Sequence, residues 1–284
     1  MSLRQIKLNS GNFIPSIGLG CYDIPRSETS NVVYEACKVG YRHFDTAVLY
    51  GNEAEVANGI VKYLKENPKE KRSNFFYTTK LWNSQLGASK TPQAIEEIIA
   101  KSGDLGYIDL LLIHSPLTGK RSRLESYAIM QKYVDKGLIK NIGVSNYGKH
   151  HIEELLHWEH LKYPPAVNQI EISPWVMRTE LANWCLSQGI NVEAYAPLTH
   201  GYKLVETPDS PLAKTCKKYH KSYAQVLIKW SLTKGYIPLP KTKTIGRLAE
   251  NLTINDFELT SEDLEELDQP DAYEPTDWEC TDAP

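Results

Sequence analysis

The chain lacks a long hydrophobic segment, since no stretch approaches the ~18 uninterrupted apolar residues of a membrane-spanning helix. Its start, MSLRQIKLNS, has no apolar signal core. The net charge of −3 over 284 residues argues against a chain built as a whole to bind nucleic acid. We therefore expect a cytoplasmic protein with neither a membrane nor a nucleic acid as its partner.

Cysteine is scarce and follows no disulfide or metal pattern. The five cysteines include no C-x-x-C pair, and an odd number cannot all pair within one chain, so reduced thiols fit best. The Walker motif, the H-E-x-x-H zinc motif and the serine nucleophile elbow are also missing. His157 and His160 have the spacing of metal ligands on one helix face, but no matching Cys or carboxylate pattern supports a site. We predict no metal.

What the chain does have is a regular alternation of apolar runs with amphipathic helical patterns. Several helical patterns close on a glycine where a helix C-cap is expected, namely Gly40, Gly103, Gly137, Gly189 and Gly235. The apolar runs read as strands buried on both faces, which predicts a parallel sheet covered by helices. The eight runs are SIGLG (16–20), RHFDT (42–46), FFYTTK (75–80), IDLLLIH (108–114), NIGVS (141–145), AVNQIEI (166–172), VEAYA (192–196) and YIPLP (236–240).

Two architectures compete for this alternation. A doubly wound open sheet normally has three glycines after its first strand, but the third is missing after Gly18-Leu19-Gly20. Eight units suit closure into a barrel, so we predict an α/β fold, a (β/α)8 TIM barrel forming a single domain over residues 1–284. The segment IKLNSGNFIP predicts an N-terminal β-hairpin, and TSEDLEELD predicts an extra C-terminal helix before a polar tail. The long connection over residues 198–235 is expected to hold a loop before its helix.

Four polar residues stand at or just after the ends of three successive predicted strands. They are Asp45, Tyr50, Lys80 and His114. In a parallel barrel the strand ends meet at one rim, so these side chains are expected to converge in one pocket. A phenol, an ammonium, a carboxylate and an imidazole together form a proton-donating device suited to a carbonyl group.

Each residue has an expected role in that device. Tyrosine has an ordinary pKa near 10, and we expect the Lys80 ammonium to lower the pKa of Tyr50 and so favour proton donation. Asp45 would hold Lys80, and His114 would orient the carbonyl oxygen. Taken singly, Tyr50 is better explained as a rim tyrosine and His114 as a core histidine, and Lys80 fits a Schiff-base residue or a salt-bridge partner. All four in this order on three successive strand ends favour the common pocket.

The segment LPKTKTIGRLAEN (239–251) predicts a phosphate site. Lysines and threonines follow a strand end, and a helix carrying Arg247 begins next. Cations, hydroxyls and a helix N-terminus in one place suit a phosphate, and barrels often bind phosphate after the eighth strand. A solvated basic turn is the alternative interpretation of this segment alone.

The chain resembles the aldo-keto reductase family over essentially its whole length, most closely its fungal members. The resemblance lies in the blocks GYRHFDTAVLYGNE, TTKLWNS, DLLLIHSP, IGVSN, VNQIE, AYAPL and LPKTKTIGRLAEN. It implies a (β/α)8 barrel that transfers hydride from NADPH to aldehydes and ketones. It also implies that Tyr50 is the general acid, that Asp45 and Lys80 tune it, and that His114 orients the substrate.

The resemblance further implies binding residues. Tyr22 and Trp82 would join His114 in lining an apolar substrate pocket, and Ser115, where some members have an aromatic residue, implies a roomier or more polar cleft. Cationic contacts to the 2′-phosphate imply a preference for NADPH over NADH. The implied cofactor residues are Gly20, Cys21, Tyr22 and Asp45 near the nicotinamide and its ribose, Ser145, Asn146 and Gln169 at the carboxamide, Tyr195 stacked on the ring, Leu198 at the pyrophosphate, Lys241, Thr242 and Arg247 at the 2′-phosphate, and Glu250 and Asn251 at adenine.

Two other functions stay open from the sequence. One is a lyase that uses Lys80 as a Schiff base, and the other is a regulatory subunit that binds NADPH as a redox sensor with little turnover. The tail contains Tyr273 and Trp278, so it forms either a lid or a mobile end. The family default is a monomer, and the physiological carbonyl substrate cannot be read from the sequence.

Overall fold

The computed structural model describes residues 3–203 and 208–284, and it begins with the predicted hairpin. Strands β1 (Gln5–Lys7) and β2 (Phe13–Pro15) pair antiparallel. Eight parallel strands follow in chain order: β3 (Leu19–Gly20), β4 (His43–Asp45), β5 (Phe76–Leu81), β6 (Ile108–Ile113), β7 (Ile139–Ser145), β8 (Val167–Glu171), β9 (Asn191–Tyr195) and β10 (Ile237–Leu239).

Each of the eight strands pairs with its sequence neighbours, and the last returns to the first. The Gly20 amide donates to Pro240 O at 3.0 Å, and Gly20 and Lys241 form a parallel bridge. Gly18 allows this approach, because a Cβ there would lie 2.7 Å from His43 Nδ1 and from Leu239 Cδ2. The sheet therefore closes, and the predicted (β/α)8 barrel is confirmed.

The hairpin shuts the amino-terminal end of the barrel. Leu8 and Ile14 are buried against residues at the lower ends of the strands, among them Phe76 and Val167. Asn9 Nδ2 also donates to Pro165 O at 2.8 Å. The opposite rim, where the strands end, is left for the site.

The helices cover the outside of the barrel. They are α1 (Arg26–Val39), α2 (Glu53–Glu66), α3 (Thr91–Ser102), α4 (Lys120–Asp135), α5 (Lys149–Leu156), α6 (Thr179–Ser187), α7 (Pro211–Tyr219), α8 (Tyr223–Thr233), α9 (Ile245–Leu252) and α10 (Ser261–Leu267). The glycines predicted as C-caps all have positive φ, as those at 40, 137, 189 and 235 illustrate with values of 72–113°. Among the described residues, no helix combines the length and apolarity needed to cross a bilayer.

Helix α7 is the element that the sequence did not predict. The connection after β9 was expected to hold a loop and one helix, but it holds α7 as well as α8. Ser210 caps α7 by accepting a hydrogen bond from the Ala213 amide at 3.1 Å. This helix has only nine residues, with Leu212 and Thr215 buried, and so short a segment gives a weak signal in the sequence.

Candidate active site

A buried ion pair forms the base of the site. Lys80 is the penultimate residue of β5 and is fully buried, and its Nζ donates to both oxygens of Asp45, at 2.8 and 2.7 Å. The third acceptor is Thr46 O at 2.9 Å. The ammonium has three protons, which it shares among these three oxygens and the Tyr50 hydroxyl.

The Tyr50 hydroxyl lies 3.4 Å from Lys80 Nζ and accepts the fourth contact of that ammonium. A short 3₁₀ helix after β4 brings Tyr50 to this position. Burial raises the pKa of Tyr50 well above its ordinary value, and the Asp45 carboxylate raises it further. The prediction that Lys80 lowers this pKa is wrong, because Asp45 compensates the lysine charge. Tyr50 is thus a neutral phenol that holds its proton throughout the neutral range.

His114 follows β6 and closes the site on the other side of Tyr50. Its ring lies 5.7 Å from the Tyr50 ring and 5.2 Å from the Trp82 ring. Burial lowers the pKa of His114 well below its ordinary value, and Lys80 adds to this. The imidazole is therefore neutral at neutral pH and carries one N–H for donation. Its Nδ1 is buried without a hydrogen-bond partner among the described residues.

The predicted binding residues surround one cleft of about 1050 Å³ above these groups. Two predicted residues do not line it. Cys21 is fully buried and packs into the core, and Lys80 lies beneath Asp45. Ser115 is also buried away from the cleft, where its hydroxyl donates to Asn83 at 2.7 Å, so it adds no polar group to the cleft. The predicted residues that line the cleft are Gly20, Tyr22, Asp45, Tyr50, Trp82, His114, Ser145, Asn146, Gln169, Tyr195, Leu198, Lys241, Thr242, Arg247, Glu250 and Asn251.

Amide and hydroxyl groups occupy the wall formed by β7, β8 and β9. The Tyr195 hydroxyl donates to Asn146 Oδ1 at 2.9 Å, and Asn146 Nδ2 donates to His114 O at 3.1 Å. Gln169 Nε2 donates to Asp45 Oδ1 at 2.8 Å. These bonds fix the orientation of groups that are suited to bind a carboxamide.

Positive charge gathers where α9 begins. Lys241 lines the cleft and forms an exposed ion pair with Asp23 at 3.2 Å. Lys243 and Arg247 also line it, and neither makes an ion pair within residues 3–203 and 208–284. This cluster and the first turn of α9 suit an anion. Over the same ranges, no three His, Cys, Asp or Glu side chains are grouped so as to hold a metal ion.

The tail supplies a wall of the cleft that the sequence left undecided. Glu171, at the end of β8, accepts hydrogen bonds from the backbone amides of Thr276 at 2.7 Å and Asp277 at 3.1 Å. This anchoring places the Trp278 ring 5.5 Å from Trp82 and 6.0 Å from His114. The tail is therefore docked over the site.

The loop after β9 contacts the tail across the cleft. His200 Nε2 lies 3.6 Å from Asp277 Oδ2, and Lys203 Nζ lies 2.7 Å from Glu274 Oε2. The hydrogen bond to Asp277 raises the pKa of His200. Ala196, with φ of 45°, turns the loop in a conformation that L-residues rarely adopt.

A closed parallel barrel with a Tyr–Lys–Asp–His group at the carboxyl ends of its strands defines the class, that of oxidoreductases acting on carbonyl groups. The model of the aldo/keto reductase family matches residues 16–272. The chain belongs to the aldo/keto reductase family.

Its relatives agree with this membership. An uncharacterized oxidoreductase of Saccharomyces cerevisiae is 61% identical over 279 residues, which cover 98% of each chain. A glyoxal reductase of Bacillus subtilis is 38% identical over 93% of this chain and 91% of its own. The crystal structure of a Bombyx mori aldo-keto reductase in complex with NADP superposes with a TM-score of 0.85 at 33% identity, covering 94% of this chain and 92% of its own. Family and relatives support carbonyl reduction in general.

Proposed function

We propose that this protein is an NADPH-dependent oxidoreductase that reduces aldehydes and ketones to alcohols, with Tyr50 as the general acid. The observation that carries the proposal is the placement of the Tyr50 hydroxyl, 3.4 Å from Lys80 Nζ, in the same cleft as the cationic start of α9. We take the active form to be a cytoplasmic monomer that forms a single domain.

The residues present fit a dinucleotide with an extra phosphate. Arg247 and Lys243 are exposed cations in the cleft with no partner among the described residues, so they are free to pair with an anion. Ser145, Asn146 and Gln169 offer polar groups to a carboxamide, and Tyr195 offers a ring. NADPH bound there supplies the hydride. A relative's structure in complex with NADP supports the same choice of cofactor.

Tyr50 delivers the proton from its neutral form. A phenol with a raised pKa stays protonated at neutral pH, and it can pass its proton to the alkoxide that forms when a carbonyl is reduced, because an alkoxide is a strong base. His114, neutral and partly enclosed by Trp82, donates its single N–H to the carbonyl oxygen and aligns it toward Tyr50. Asp45 and Thr46 O hold the Lys80 ammonium in place, and the ammonium in turn contacts the phenol oxygen at 3.4 Å and fixes its position.

The lyase alternative fits the geometry poorly. A Schiff-base lysine must present a free lone pair to its substrate. Lys80 is fully buried, lies below the cleft lining, and donates to Asp45 and Thr46 O. The redox-sensor alternative uses the same binding residues for NADPH. The rate of carbonyl reduction therefore distinguishes it from the proposed reductase.

The deciding experiment follows the absorbance of NADPH with a panel of aldehydes, ketones and α-dicarbonyls, with NADH in parallel. We expect turnover with NADPH and weaker activity with NADH. Tight NADPH binding without turnover on any carbonyl would favour the sensor. Nucleotide-independent turnover with an adduct trapped by borohydride would favour the lyase.

The docked tail leads to a prediction about substrate size. Replacing Trp278 by Ala removes an apolar wall beside Trp82, so we expect KM for an aromatic aldehyde to rise about tenfold. KM for a small α-dicarbonyl should change much less, because it does not reach this wall. Steady-state kinetics with both substrates measures the contrast, and the Kd of NADPH serves as the internal control. Equal KM changes for the two substrates would contradict the assignment of Trp278 to the pocket.

A further inference from the structure

A buried carboxyl group lies inside the barrel, beneath the residues of the site. Glu193, in the middle of β9, is fully buried, two residues before Tyr195 on the same face of the strand. It pairs in register with Gln169 of β8. An ionisable residue is rarely buried unless it is paired or uncharged, so the contacts of Glu193 indicate which of these applies.

Gln169 links Glu193 to the ion pair of the site. Its Nε2 donates to Glu193 Oε2 at 2.7 Å and to Asp45 Oδ1 at 2.8 Å. The NH₂ group of the amide thus donates one hydrogen to each of the two carboxyl groups, and it has no further hydrogen to donate. The carbonyl oxygen of Gln169 is left as the group that this side chain offers to the cleft.

The other oxygen of Glu193 faces a second buried group. Glu193 Oε1 lies 3.3 Å from Nε2 of His43, which is also fully buried. Burial lowers the pKa of His43 to about 3, and the charge of Lys80 lowers it further, so the imidazole is neutral. Thr78 Oγ1 lies at the same distance from Nε2, 3.3 Å, and Glu193 Oε1 has no other polar partner among the described residues. A neutral imidazole nitrogen can accept a hydrogen bond from a protonated carboxylic acid.

We propose that Glu193 is a positioning residue, which in its uncharged acid form donates to His43 and holds Gln169, and through Gln169 fixes the Asp45 carboxylate that pairs with Lys80. Three contacts of 2.7–2.8 Å join Glu193 to the lysine beside Tyr50. This role rests on the proposed carbonyl reduction.

The surroundings of Glu193 agree with the uncharged form. The ionisable groups around it are His43 and Asp45 of β4 and Lys80 of β5, with uncharged Gln169 from β8. Burial raises the pKa of Glu193 to about 8, and Asp45 adds to this, whereas Gln169 and Lys80 oppose it. Glu193 is therefore an uncharged carboxylic acid at pH 7. As the pH rises through about 8 it loses its proton, and its negative charge then lies beside that of Asp45.

Two substitutions separate this role from simple filling of the barrel. Glu193→Gln retains the shape of the acid, with an oxygen to accept from Gln169 and an NH₂ to donate to His43. Glu193→Met fills a similar volume but makes neither bond. We expect E193Q to keep kcat at pH 7 within about twofold, and E193M to lower kcat about tenfold while KM for the carbonyl stays within about twofold. A folded E193M with wild-type kcat would overturn the proposal.

Thermal stability against pH gives a readout that needs no turnover. The pKa of Glu193 is raised in the folded state, so the stability it contributes is complete below its unfolded value near 4.5 and is lost as the pH rises through about 8. We expect the Tm of the wild type to fall relative to that of E193Q between pH 5 and pH 9. Identical Tm profiles would overturn the uncharged form even if E193M does not fold. A wild type without carbonyl reduction would defeat the proposed function but leave this comparison intact.

Discussion

Replacing Tyr50 by Phe is expected to lower kcat for carbonyl reduction by roughly 10²–10⁴, the usual worth of one general acid. The change removes the hydroxyl that lies 3.4 Å from Lys80 Nζ and leaves the ring against Tyr22, whose centroid is 5.0 Å away. The Kd for NADPH, measured by quenching of protein fluorescence, should change little. Full activity in the Phe variant would remove Tyr50 from the mechanism.

Tyr50→Phe is a cleaner test than a change at the ion pair. Removing Asp45 would leave Lys80 buried without its partner, which costs about 3–5 kcal/mol of stability in comparable cases. A loss of activity there would confuse unfolding with chemistry. Tyr34→Phe is the matched control, because it removes the same atom from α1 on the outside of the barrel. In the part of the chain that the structure describes, this hydroxyl bonds only Glu66.

Replacing Lys241 by Met should reduce the preference for NADPH over NADH by roughly 10–100-fold, the range of one hydrogen bond to a charged group. Lys241 lines the cleft at the strand end before α9, and among the described residues it forms an ion pair only with exposed Asp23. Its loss would remove the proposed contact to the 2′-phosphate, which NADH lacks, so KM for NADPH should rise and KM for NADH should hardly move. Steady-state kinetics with both nucleotides measures the ratio.

The matched control for that experiment is Lys214→Met. Lys214 is an exposed lysine on α7 that does not line the cleft, so its removal changes the net charge equally. If both variants weaken NADPH binding to the same degree, the effect is general surface charge and the assignment of Lys241 fails.

The barrel and the convergence of the four residues could be predicted because both follow from strand ends. Asp45, Lys80 and His114 each stand at the end of an apolar run, and closure of a parallel sheet brings such positions to one rim. The direction of the Tyr50 pKa could not be predicted in the same way. That pKa depends on how deeply the phenol is buried and on the charges beside it. The structure shows that Tyr50 is buried and that Asp45 pairs with Lys80 and so compensates the lysine charge.

The residues that the sequence did not place have weak local signals. The tail is polar and shows neither a helical nor a strand periodicity. Its sequence therefore does not predict that Glu171 binds its backbone and that Trp278 lies beside His114. Glu193 is a single charge in the strand VEAYA, and its importance rests on Gln169 and His43, which lie on other strands. An acid inside an otherwise apolar strand was the one available clue to it.

The hairpin across the lower end of the barrel has a consequence for the supply of protons. If Tyr50 gives up a proton in every cycle, that proton must be replaced from bulk solvent. Lys80, Asp45 and Glu193 are enclosed, and Leu8 and Ile14 close the interior below them. Replenishment then has to use the same mouth through which the alcohol departs, so recharging the acid and clearing the product share one route.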